Sequence, residues 1–263
     1  MKASIGTAIM FIIVIILACL ISAFIFTTSS NSNQSSFGEQ KDMVIASGHP
    51  DWKPIMWRSG LEITGAGPEI TGMVFKDMGM GVRTIYIGPW DIVQEKTKTG
   101  ENDVIVALYY TPERAEYLVY SISYTTDPVA VFVKQGSGFT YTNKRDLIGL
   151  KGAATIGDSY GTEMDAFILD AKLDLKRVAT PEEAFALVRS GQADYFLYSG
   201  YAGKKMLGKA TDIVEAGIVS QQNFYIGVSK KSEYAKYMDQ INASLQRHIN
   251  NGDVARAIEK YNR

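Results

Sequence analysis

Residues 100–114 read GENDVIVALYYTPER, and this stretch decides the class of fold. Gly100 stops the segment before it. The run DVIVAL at 103–108 is compact and apolar, the pattern of a strand covered on both faces. Thr111, Pro112 and Glu113 then supply a cap, a first-turn proline and an acid at the positive end of a helix dipole. A buried strand feeding a helix start is the building block of an α/β sheet with helices on both faces.

The same alternation extends in both directions. Upstream, MVIAS at 43–47 reads as a strand ended by Gly48, His49 and Pro50. Residues 70–80 carry helical spacing at Met73, Phe75 and Met78, with Gly81 as a stop. Residues 82–87 alternate like a half-buried strand, and 90–98 read as a helix. Downstream, VAVFVK at 129–134 is a strand, 143–147 a helical turn and 153–156 a strand. Gly161-Thr162-Glu163 opens a helix expected to run to about 173, followed by a helix at 181–190 and a strand at 193–198. A further strand at 224–228 and helices at 232–250 and 253–261 close the chain. Strands alternating with helices imply parallel sheets flanked by helices.

The composition narrows the function. The chain has 263 residues, 46% of them hydrophobic and 21% charged, as in a globular protein with a sizeable core. A formal net charge of −1 gives no basic excess for a nucleic-acid backbone. The single cysteine, Cys19, excludes an intrachain disulfide and a cysteine-based zinc site, and two distant histidines, His49 and His248, exclude a histidine-rich metal site. Met1 and Lys2 precede an uncharged apolar run at 5–26 that fits a cleaved secretory signal or an uncleaved membrane anchor. Cys19 faintly matches a lipoprotein acceptor, but Leu17 stands where a small residue is wanted, and a buried thiol is the simpler reading. Residues 27–41 (TTSSNSNQSSFGEQK) form a polar spacer. The rest is expected to work outside the cytoplasmic membrane, in the periplasm or on the outer face of the inner membrane.

The order of motifs across 43–263 resembles the bacterial extracellular solute-binding proteins of family 3, the polar amino-acid receptors of ABC transporters. The resemblance rests on Trp52-Lys53-Pro54-Ile55, Gly67-Pro68-Glu69-Ile70, Trp90-Asp91, the stretch 100–105, Thr111-Pro112-Glu113-Arg114, the stretch 146–152, Gly161-Thr162-Glu163, the stretch 183–188, Gly191-Gln192-Ala193-Asp194 and Ile226-Gly227-Val228. It implies an α/β, two-lobed, type II periplasmic-binding-protein fold of mainly parallel sheets, hinged around a ligand cleft. Lobe 1 would hold 42–124 and 223–263, and lobe 2 would hold 125–222, with crossings at 124–128 and 220–223. It also implies a monomer that binds a small polar carboxylate-bearing solute, hands it to an ABC permease, and needs no metal or cofactor.

The site residues follow from the same resemblance, each with a plainer alternative. Arg114 would grip the ligand carboxylate, since a guanidinium offers paired N–H donors; otherwise it is an exposed arginine opposing a helix dipole. Asp158, Ser159, Gly161 and Thr162 lie in the segment that matches the lobe 2 carboxylate turn, where free helix amides cradle an anion; an ordinary N-cap is the alternative. Trp52 and Trp90 would wall the ligand side chain or pack the core. Tyr109 narrows the cleft or stacks, and Tyr110 beside it departs from the family pattern in the same way. His49 touches a polar side chain or is a turn residue, while Trp57 reads as packing and Asp194 as structural. Ser199 stands where related receptors place the aspartate that pairs with the ligand ammonium. Either Asp158 or Glu69 replaces that charge, or the ligand lacks an α-amino group.

Two other readings stay open. Cyclohexadienyl dehydratases share the scaffold, and Glu163 or Asp158 would then be the acid. No paired acid and base, Ser-His-Asp order, Walker loop or G-x-G-x-x-G fingerprint supports an enzyme. A membrane-tethered ligand sensor would use the same cleft and an uncleaved anchor.

Overall fold

A computed structural model describes residues 43–262. The segments read as signal or anchor and as spacer, with Cys19, lie outside the described residues. Among the described residues no helix is long and apolar enough to cross a membrane.

The strands are β1 (Met43–Ser47), β2 (Asp51–Trp52), β3 (Met56–Ser59), β4 (Glu62–Thr64), β5 (Gly81–Thr84), β6 (Val104–Leu108), β7 (Leu118–Tyr120), β8 (Thr125–Lys134), β9 (Lys151–Thr155), β10 (Asp174–Val178), β11 (Tyr195–Ser199) and β12 (Ile213–Ser229). The helices are α1 (Ala66–Asp77), α2 (Trp90–Thr99), α3 (Pro112–Ala115), α4 (Thr162–Asp170), α5 (Pro181–Ser190), α6 (Gly200–Leu207), α7 (Met238–Asn250) and α8 (Asp253–Asn262). The main sheet runs β10-β9-β11-β8-β12-β6-β1-β5, with β7 also paired to β12. β2, β3 and β4 form a small antiparallel sheet.

Direction in the main sheet changes from its flanks to its centre. β1 is parallel to β5 and β6, and β9 is parallel to β10 and β11. β8 and β12 are antiparallel to their neighbours and to each other. They run oppositely because β8 carries the chain out of one group of strands and β12 carries it back. Over Ile213–Phe224, β12 pairs with β8; from Tyr225 on, it pairs with β6 and β7. The chain therefore passes between the two groups twice, between Tyr120 and Thr125 and between Phe224 and Tyr225.

Local chemistry explains most element ends. Gly100 closes α2 in the left-handed conformation that its missing Cβ permits. Thr111 caps α3, its hydroxyl accepting from the Arg114 amide at 3.1 Å. A capping box of Asn143 and Asp146 holds a short 3-10 turn at Lys144–Leu147. α1 starts at Ala66, ahead of its hydrophobic periodicity, because the Ala66 and Gly67 amides donate to the carbonyls of Pro54 and Ile55 at 3.2 and 2.7 Å. α4 ends at Asp170, earlier than the apolar spacing suggests.

The core continues across both groups of strands. In one, Val44, Ala46, Val104 and Val106 meet Ile70, Val74 and Phe75 of α1. In the other, Phe185 of α5 meets the rings of Phe132 and Phe196 at centroid distances of 5.5 and 5.0 Å, and Tyr198 stacks on Phe196 at 5.0 Å. Burying such side chains contributes roughly 1.5–3 kcal/mol each. The sheets so anchored hold the C-terminal ends of β1, β6 and β9 together, the usual place for a binding crevice in an open α/β sheet.

Candidate functional site

Loops leaving the C-terminal ends of β1 and β6, which are parallel to each other, and of β9, in the other group of strands, meet at one place. β1 delivers Gly48 and His49, β6 delivers Tyr109, and β9 delivers Gly157 and Asp158. The capped turn of α3 then folds Arg114 back over them. Arg114 is 5% exposed. Its Nε donates to Gln94 Oε1 at 2.9 Å, Nη1 to the Tyr109 carbonyl at 3.2 Å and Nη2 to the Gly157 carbonyl at 3.0 Å. Its guanidinium also lies 5.4 Å from the centre of the Trp90 ring, within cation–π range. Gln94 Nε2 donates to the same Gly157 carbonyl at 3.2 Å. Gly157 has φ +81, and a Cβ there would lie 2.9 Å from Gln94 and 3.2 Å from Trp90, so glycine is what allows this approach.

Two spaces adjoin the guanidinium. Inward lies a cavity of about 20 Å³, room for about one water molecule, lined by His49, Trp52, Trp90, Tyr109, Asp158 and Phe224 among others. Outward lies a wider cleft of about 660 Å³ between α2, α3 and α4, reached by Gln94, Thr162, Asp165 and Arg177. Arg114, Asp158 and Ser159 line both.

His49 and Asp158 face each other across the cavity. His49 is 1% and Asp158 7% exposed. His49 Nδ1 accepts the Asp51 amide at 3.0 Å, which places the proton of the neutral ring on Nε2. Nε2 approaches Asp158 Oδ1 at 3.4 Å without completing a hydrogen bond. Both carboxylate oxygens of Asp158 are buried and have no hydrogen-bond donor.

A second buried carboxylate lies behind the aromatic wall. Asp127, on β8, is 1% exposed. Its Oδ2 accepts from Trp52 Nε1 at 3.0 Å and from the Tyr109 hydroxyl, and its Oδ1 accepts from Ser199 Oγ at 2.8 Å. Burial pushes its carboxyl up to about 6, against the opposing pull of those three donors. Nearby, the Tyr198 hydroxyl donates to the Asp51 carbonyl. The network fixes the rings of Trp52 and Tyr109 edge to face at 5.7 Å, with Phe224 4.9 Å from Tyr109.

The expected residues divide accordingly. Arg114, Trp52, Trp90, Tyr109, Asp158 and Ser159 line the inner cavity, and His49 joins them. Thr162 lines only the wider cleft. Gly161, at φ +92, precedes α4 and donates its amide to Ser159 Oγ at 3.2 Å, while Ser159 Oγ donates to Asp165 at 2.5 Å. Ser199 lines neither space; it caps α6 by accepting from the Ala202 amide at 3.0 Å and donates to Asp127. Glu69 is held by Lys260 at 2.6 Å and Tyr261 at 2.8 Å, away from both spaces. Trp57 packs on Tyr261, and Asp194 accepts the Lys151 amide. Tyr110 is exposed and rests against Tyr120. Sequence reading passed over Asp127, Gln94, Phe224 and Tyr198. Asp127 offered one signal, an acid at the head of an otherwise apolar strand. Among the described residues no cluster of histidine, cysteine or acidic side chains is arranged to hold a metal ion.

This fold, with a crevice at the strand ends between two groups of strands, is that of the type II periplasmic-binding proteins. The chain belongs to the bacterial extracellular solute-binding proteins, family 3, whose sequence profile matches residues 44–263. Among solved structures, a mutant of ArgBP from T. maritima is similar at 21% identity and a TM-score of 0.71, covering 83% of this chain and 94% of that one. A histidine kinase sensor domain described as similar to periplasmic binding proteins matches at 20% identity and 0.74, covering 84% and 96%. AbpA from Streptococcus pneumoniae, an amino acid ABC transporter substrate-binding protein bound to L-arginine, matches at 18% identity and 0.69, covering 84% and 94%. No curated protein matches the chain.

Proposed function

We propose that the protein is an exported receptor for a small, polar, carboxylate-bearing solute, and that it delivers this solute to an ABC permease without chemical change. The observation that carries the reading is the position of Arg114, a buried guanidinium at the junction of the inner cavity and the outer cleft. It has more N–H donors than the three protein acceptors it meets, and two of those acceptors are backbone carbonyls that a stronger carboxylate partner displaces. Across the cleft, α4 opens at Gly161 with no side-chain cap, so its first amides favour an anion.

In this reading residues 42–124 and 223–263 form one lobe and 125–222 the other, hinged where β12 changes partner. The solute enters from the 660 Å³ cleft. Its carboxylate replaces the Arg114–Gly157 bridge and the lobes close on it. The permease then selects the closed form, a population shift driven by the difference in affinity between states. Membership of a family of extracellular solute-binding proteins and the amino-acid ligands of similar structures support a solute of this size.

A thermal-shift screen of amino acids and organic acids tests the reading, because a ligand of the native state raises the melting temperature. Carboxylates are expected to stabilise the wild type, and Arg114→Ala to remove the shift while the protein stays folded. An unchanged shift in the folded variant refutes the role of Arg114.

A further inference from the structure

We infer that Asp127 is a positioning residue that latches the two lobes behind the site, so that protein bonds, not the solute, assemble the aromatic wall. This goes beyond the receptor reading but rests on its two lobes. The bonds that cross between those lobes fall into two sets. At the mouth, Arg114 Nη2 and Gln94 Nε2 both donate to the Gly157 carbonyl, at 3.0 and 3.2 Å. That acceptor is neutral, and these groups line the outer cleft, where a carboxylate reaches them. Behind the wall, Trp52 Nε1 and the Tyr109 hydroxyl, both from the first lobe, donate to Asp127 Oδ2 on β8. Ser199 Oγ, on β11 of the second lobe, donates to Oδ1 at 2.8 Å.

The second set is out of the solute's reach. Asp127 is 1% exposed and lines neither the inner cavity nor the outer cleft. It lies at the head of β8, just past the crossing, opposite Gln222 of the returning strand β12. A carboxylate there accepts charge-assisted bonds from a ring on β2 and a ring just after β6. Those two rings line the inner cavity, so the residue that holds them sets the wall. Tyr198 of β11 strengthens the same seam. Its hydroxyl donates to the Asp51 carbonyl, and its ring lies 5.0 Å from that of Trp52. Parting the lobes breaks these bonds together, and each bond to a charged acceptor shifts an equilibrium by roughly tenfold or more.

Double electron–electron resonance on the full chain, with no solute added, tests this. Cys19→Ser removes the native thiol. Nitroxides on Lys98→Cys and Leu169→Cys, both exposed positions, report across the outer cleft from α2 and α4. Refolding from denaturant beforehand ensures that no bound solute is carried over. One dominant short distance is expected. Asp127→Ala is expected to raise the long-distance fraction by about tenfold. Tyr109→Phe, which removes one hydroxyl only, is expected to raise it by less. Asp127→Asn keeps an oxygen for the Trp52 and Tyr109 donors and is expected to retain the wild-type distance. Phe185→Ala, a core variant of the second lobe, is expected to lower stability without changing the distance. A dominant long distance in the wild type overturns the latch. So does an unchanged distribution in folded Asp127→Ala or, should that variant not fold, in Tyr109→Phe. The thermal shift with carboxylates is read independently, so the receptor reading stands or falls apart from this result.

Discussion

Asp127 makes the stability of this protein depend on pH in an unusual direction. Its carboxyl is pushed up to about 6 by burial, from an ordinary value of 3.8. The folded protein therefore holds a proton on Asp127 through a pH range in which the unfolded chain has released it. The stabilising contribution is complete below the unfolded value and is lost as pH rises through the folded one. A shift of about two units corresponds to about 3 kcal/mol, of which about 2 kcal/mol develops between pH 4 and pH 7. At 1% exposure the group has little solvent to discount this figure. Asp127→Asn removes the titration and keeps one acceptor oxygen for the Trp52 indole. Other carboxylates such as Asp77 and Asp253 are held low by hydrogen bonds and contribute in the opposite sense, so the readable quantity is the difference between wild type and variant. Urea unfolding of both proteins from pH 4 to pH 7 should show the wild type losing about 2 kcal/mol relative to the variant as pH rises. Parallel profiles would refute the buried, fully engaged carboxylate.

Further expectations rest on single local features. Thr111→Ala removes the α3 cap and should cost about 1 kcal/mol in urea unfolding; it should also weaken any ligand held by Arg114. Gly161→Ala places a Cβ 2.0 Å from the Gln222 amide at φ +92, so a loss of roughly 1–3 kcal/mol is expected in the same assay. Phe185→Ala empties the aromatic cluster of α5 and should cost about 3–5 kcal/mol, read by thermal melting with calorimetry.

The fold was legible where one chemical device decided each element. VIVAL is buried at every position of β6, and Gly100 and Thr111 cap their helices as their residue types require. The segments that escaped reading lack such a device. β10 (DLKRV) is a mostly exposed edge strand, so its charges face solvent and no apolar run marks it. The first half of β12 alternates only weakly because it lies beside β8 near the cleft, half-buried along most of its length. The small β2-β3-β4 sheet is built from two- to four-residue strands, too short for a periodic signal.

The site was legible in part for the same reason. Tyr109 and Asp158 follow β6 and β9 directly, and Trp52, Trp90 and Arg114 lie in or open the next element after a strand, so the order of elements already places them near strand C-terminal ends. Ser199 and Asp127 show what order cannot supply. Ser199 is spent on capping α6, and the carboxylate it serves arrives from β8, which pairs with β11 antiparallel. That pairing depends on long-range sheet register, which no local pattern records.

The most direct measurement is a crystal structure of the protein with the strongest carboxylate from the thermal-shift screen. The expected result is a ligand carboxylate on the Arg114 guanidinium at hydrogen-bond distance, with the Gly157 carbonyl released from it. A ligand carboxylate bound elsewhere, with the Arg114–Gly157 bridge intact, would contradict the assignment.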